Sequence, residues 1–95
     1  MSEQLEEIQA EIDLEIEARI QKFIGKPCNY LMAMMLQLSI NRYLDSLGGI
    51  TSNSQAVIDK DETDYSLKKI GYIVTVFLPF ETETVELNLT YTANL

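Results

Sequence analysis

The sequence predicts an α+β fold: two N-terminal helices, about 2–24 and 27–47, packed on a C-terminal antiparallel β-hairpin, about 70–80 and 84–92, with room for a third short strand near 55–59. Three observations predict it. Apolar residues recur at helical spacing through the first two dozen positions. A second helical stretch, containing CNYLMAMMLQLSI, is apolar on more than one side. The C-terminal third is rich in β-branched and aromatic residues that alternate with polar ones. At 95 residues, with 46% hydrophobic and 23% charged residues, the chain reads as a single domain, 1–95, with one modest core.

In the first helix the apolar residues are Leu5, Ile8, Ile12, Ile16, Ile20, Phe23 and Ile24, which form one stripe at about 100° per residue. Glu7, Ala10, Leu14 and Ala18 lie opposite. Ser2 can cap the start, and Gly25 followed by Pro27 supplies a stop. Acidic residues crowd the front while Arg19, Lys22 and Lys26 come late, an order that suits the helix macrodipole.

Pro27 suits the first turn of the second helix, and Gly48-Gly49 can end it in a left-handed conformation. Its wheel has two apolar faces. Met32, Ala33, Leu36, Ile40, Tyr43, Leu44 and Leu47 make one; Leu31, Met34, Met35 and Leu38 make the other. Gln37 and Asn41 separate them on one side, Ser39 and Ser46 on the other. Such a helix needs two coverings.

The following segment mixes turn formers and charges around the short apolar run Ala56-Val57-Ile58, so its first half reads as loop or brief strand. In the last strand Val85, Leu87, Leu89 and Tyr91 alternate with Glu86, Asn88, Thr90 and Thr92, giving one buried and one wet face. The strand before it carries Tyr72, Val74, Val76 and Leu78 on one face but Ile73 and Phe77 on the other. That pattern predicts a central strand or a covered back. A short Glu/Thr segment joins the two.

The hairpin can cover one face of the second helix, and the first helix's stripe part of the other. A first helix of ~22 residues would be roughly 33 Å long, against the ~26 Å diameter expected of a domain this size. Its N-terminal half should therefore overhang, and a second subunit is the natural cover. The expected interface comprises Leu5, Ile8, Ile12, Ile16, Leu31, Met34, Met35 and Leu38, with the first helices packed antiparallel or swapped. On this expectation glutamate at Ile8 and Ile12 splits a homodimer and leaves the hairpin folded.

Chemistry is sparse. The chain has no His, which excludes His-dependent triads and His-based metal sites. Cys28, the lone cysteine, cannot form an internal disulfide and reads as a small packed residue in a reducing compartment. DKDETD, at 59–64, imitates the start of a calcium loop, but Asp64 stands where that loop needs glycine and Ile70 where it needs a bidentate Glu. No Gly-rich phosphate loop follows a strand. No catalytic, cofactor or metal residue is assigned, and an enzyme is not expected.

Fifteen Asp and Glu against seven Lys and Arg give a net charge of −8. Direct nucleic-acid contact and anionic membranes are disfavoured as partners, whereas a basic protein is electrostatically welcome. The acidic N-terminus resembles neither a signal nor a transit peptide, and no apolar run is long enough to span a bilayer, so a cytoplasmic location is expected. These features suit a bacterial or phage accessory protein that works by protein-protein interaction or assembly as a homo-oligomer. The alternative is an acidic nucleic-acid mimic that occupies a basic DNA- or RNA-binding cleft of another protein.

Overall fold

The computed structural model describes residues 2–47, 53–79 and 83–95. Helix α1 spans Ser2–Gln21 and α2 Tyr30–Ser46; strands β1 (Gln55–Asp64), β2 (Lys69–Pro79) and β3 (Thr84–Asn94) follow in that order. The strands form one antiparallel sheet, β1-β2-β3, so β2 is the central strand. Both helices lie on one face of the sheet, and the core sits between the two layers. The predicted Gly48-Gly49 stop and most of the Glu/Thr connection lie outside the described residues.

Helix α1 ends three residues earlier than expected. Its last turn tightens into i→i+3 bonds, with the N–H groups of Lys22, Phe23 and Ile24 donating to the carbonyls of Arg19, Ile20 and Gln21, and Gly25 then takes φ 90°. Helix α2 starts later than Pro27 because Asn29 caps it, its Oδ1 accepting the Met32 N–H at 2.9 Å. Cys28 therefore precedes the helix, half-buried against the core.

Ile12, Ile16 and Ile20 of α1, Ala33, Leu36, Ile40, Tyr43 and Leu44 of α2, and the inward face of β2 (Ile70, Tyr72, Val74, Val76, Leu78) are all buried together. Each large aliphatic side chain so buried contributes about 1.5–3 kcal/mol. The Tyr72 hydroxyl ties the layers, donating to the Ala33 carbonyl at 2.7 Å.

From Ile8 onward α1 does not overhang. A sphere was the wrong shape: the molecule measures 45 × 23 × 20 Å, and the 11-residue strands β2 and β3 run for roughly 36 Å, longer than the helix above them. Ile8 packs on the core, and Ile12 and Ile16 are fully buried within a single chain.

Strand β1 reaches Asp64 rather than stopping near residue 59, because its charged second half is held by local bonds through a break in register between Asp59 and Asp64. Thr63 Oγ1 donates to the Asp59 carbonyl at 2.7 Å and accepts the Gly71 N–H at 3.0 Å. Lys69 Nζ meets Glu62 at 3.3 Å. Beyond it, the exposed Asp64 accepts from the hydroxyl of Ser66 and from its N–H, which holds its carboxyl below the usual value.

Gly71 lies where β1 presses closest, and a Cβ added there would come within 2.7 Å of Glu62 Cβ. Gly71→Ala is expected to cost about 1–3 kcal/mol in urea unfolding, since β1 must move off β2 to admit the methyl. An unchanged midpoint would mean that β1 does not pack there.

Candidate protein-interaction surface

The two edges of the sheet are treated differently. Along β1 the outward-facing backbone is capped by α2: Asn41 accepts the Ala56 N–H at 2.7 Å and donates to its carbonyl at 3.2 Å, and Gln37 accepts the Ile58 N–H at 3.0 Å. The two amides that separate the apolar faces of α2 thus close a strand edge. At the start of β1, Ser54 Oγ accepts the Phe77 N–H at 3.0 Å, and Pro79, which has no N–H, occupies the next position of β2 on that side.

Of the interface residues expected from sequence, the structure brings together four and places Ile8, Ile12 and Ile16 in or against the core instead. Leu31, Met34, Met35 and Leu38 are 62%, 37%, 48% and 51% exposed and form one stripe on the outer side of α2. Ile12 and Ile16 leave the list, for they are buried by the chain's own sheet and second helix. Ile8 is partly buried against the same core, and the Leu5 side chain lies outside the described residues. The α1 stripe and the sheet bury the same face of α2, so neither covers the second one.

The stripe does not end at α2. Tyr30, also exposed, extends it toward a cleft of about 410 Å³ lined by Tyr30, Met34, Gln37, Val57, Lys60 and Tyr65 among others. Smaller depressions flank Met35 and Leu38, one of them bordered by Arg19 and Arg42. Arg19 is held in place by Glu15 at 2.8 Å and by the Tyr43 ring, whose centroid lies 4.6 Å from the guanidinium carbon. Tyr65 stands alone among polar neighbours and gives no signal in the sequence, while Tyr30 and Val57 lie in apolar runs whose spacing does not show that they meet.

No protein-family model, curated protein or solved structure matches the chain. The surface itself therefore carries the functional argument. Among the described residues no three His, Cys, Asp or Glu side chains gather as a metal site would require. In DKDETD, Asp59 accepts the Asp61 N–H, Glu62 pairs with Lys69 and Asp64 accepts from Ser66, so three of the four carboxylates turn to separate local partners. No described helix is long and apolar enough to cross a membrane.

Three tyrosines packed in or against the core give two predictions. The Tyr43 hydroxyl is buried with no hydrogen-bond partner among the described residues. Tyr43→Phe should therefore raise stability by about 1 kcal/mol in a thermal or urea melt, while keeping the ring under Arg19. A loss of stability would mean that the hydroxyl is bonded.

Burial pushes the phenols of Tyr43, Tyr72 and Tyr91 above their ordinary value of 10.0, and Asp13, which accepts the Tyr91 hydroxyl, raises Tyr91 further. A raised folded value favours the protonated form, so this stability is whole below pH 10 and is lost as pH rises above it, by up to about 1.4 kcal/mol per pH unit for each such tyrosine. Unfolding followed by tyrosine absorbance should show the loss beginning near pH 10. A flat profile to pH 11 would sink the prediction.

Proposed function

We propose that this chain is a small non-enzymatic assembly protein that acts as a homo-oligomer through the outer face of α2, with a second copy as the cover for that face. One observation carries the reading: the exposed stripe Leu31, Met34, Met35, Leu38 is a palindrome of residue types at helical spacing. A two-fold axis passing between Met34 and Met35 sets Leu31 of one copy against Leu38 of the other and Met34 against Met35, so the patch is complementary to itself, as an isologous interface requires.

Area supports the same occupant. With Tyr30 the stripe exposes five large side chains, on the order of 500 Å² in one patch, which doubled across the axis reaches the roughly 1,000 Å² that a specific interface needs. Methionine at the centre suits helix-helix contact, because its flexible thioether fills irregular gaps.

Light scattering behind size exclusion, across a dilution series at low and high salt, tests the reading. The expected mass is near twice 10.8 kDa, with little response to salt, since apolar contact is not screened. A monomer at every concentration overturns it.

A further inference from the structure

The far edge of the sheet has no counterpart to the amide caps of Asn41 and Gln37. Leu95 donates its N–H to the Lys68 carbonyl at 2.8 Å, and with the observed register of β2 and β3 this turns the odd-numbered residues of β3 toward β2. The N–H and C=O groups of Thr84, Glu86, Asn88, Thr90, Thr92 and Asn94 consequently point away from the sheet, and no described residue bonds them. Edge strands are ordinarily blunted by lysine, proline, a bulge or short length. Strand β3 has none of these over its 11 residues, TVELNLTYTAN.

The space beside this edge is not open on all sides. A cleft of about 460 Å³ lies between residues 88–91 and the flank of α1 formed by Gln9, Asp13 and Glu17. A strand added to β3 would run along this cleft, and its side chains on the helix-facing side would meet the two carboxylates. Asp13 is fixed there by the Tyr91 hydroxyl, which burial and the neighbouring carboxylate keep protonated and donating.

We propose that the outer edge of β3 takes up an extended segment of a basic partner protein by strand addition. Main-chain hydrogen bonds to Asn88, Thr90 and Thr92 would supply the pairing, and lysine or arginine at alternate positions of the segment would face Asp13 and Glu17. Charge decides the occupant. The β3 of a second copy would present Leu87, Leu89 and Tyr91 where cations are wanted, and would bring the carboxylates of two α1 helices together. A cationic segment meets the same groups favourably, and the net charge of −8 steers it in. This surface is separate from the α2 stripe, and its test does not depend on the oligomeric state.

The probe is a short synthetic peptide of alternating threonine and lysine, titrated into the uniformly ¹⁵N-labelled full chain. Amide signals of Asn88, Thr90 and Thr92 should shift, and their hydrogen exchange should slow. A peptide alternating threonine and glutamate should do neither. The lysine peptide with its central threonine replaced by proline, equal in charge, should bind about tenfold more weakly or worse. The original peptide should bind a Glu17→Gln protein about two- to fivefold more weakly, since that substitution is on the exposed flank and leaves the Tyr91 contact intact. Three results would overturn the proposal: no shifts at millimolar lysine peptide, equal binding of the proline peptide, or concentration-dependent protection of the β3 amides in the protein alone, which would assign the edge to a second copy.

Discussion

Replacing Met35 and Leu38 together by glutamate is expected to halve the light-scattering mass while leaving the circular dichroism spectrum unchanged. Both side chains are about half exposed in the single chain, so each carboxylate stays in water in the monomer and the fold bears little cost. In the proposed dimer the same carboxylates face Met34 and Leu31 of the other copy, and two pairs of them gather about the axis. Burying unpaired charge of that kind costs about 4 kcal/mol or more, roughly a thousandfold in dissociation constant, which removes a micromolar dimer from the accessible range. A double variant with the mass of the wild type would clear α2 of any part in assembly. Glutamate at Leu14, 73% exposed on the opposite side of α1 from its buried stripe, is the control that should alter neither property.

Ile12→Glu is expected to do the opposite and unfold the chain outright. Its side chain has no exposed surface, enclosed with Ile16, Leu36 and the inward face of β2. A buried carboxylate with no partner costs about 4–5 kcal/mol, comparable with the whole folding free energy of a domain this small. Far-ultraviolet circular dichroism and a urea melt would show a chain without a cooperative transition. The sequence taken alone leads to the contrary expectation, in which glutamate at positions 8 and 12 splits a dimer and spares the hairpin. A folded Ile12→Glu protein would vindicate that view and place the α1 stripe on a surface. The two substitutions thus separate the two apolar faces of the molecule, one enclosed by the fold and one left outside it.

The reversal at Ile12 and Ile16 has a simple cause. Helical periodicity identifies an apolar stripe, and it did so correctly from Ile8 to Ile20, but periodicity carries no information about what lies against the stripe. A sphere of this chain length is narrower than α1 is long, whereas two 11-residue strands make a platform longer than the helix. Strand β1 shows a second limit. Its charged half, 59–64, has the composition of a loop and is held in the sheet by Thr63, by the Glu62 and Lys69 pair and by the absence of a Cβ at Gly71, all of which act across strands. Gln37 and Asn41 are a third case. On a helical wheel they look like polar spacers, and only their position beside β1 makes them caps for its backbone.

The α+β class, two helices followed by strands, the two-sided apolar pattern of β2 that fits a central strand or a covered back, and the division of α2 into two apolar faces are all legible in the sequence. These follow from side-chain period and from capping or turn residues, which act over a few positions. The three-dimensional packing settles which of those faces is covered, which sheet edge is closed and which stays bare, and that α1 is enclosed from Ile8 to Ile20. Those outcomes depend on the length of the sheet and on groups dozens of residues apart, as when Gln37 meets Ile58 or Asp13 meets Tyr91. Short-range spacing cannot encode a contact whose partner it does not contain.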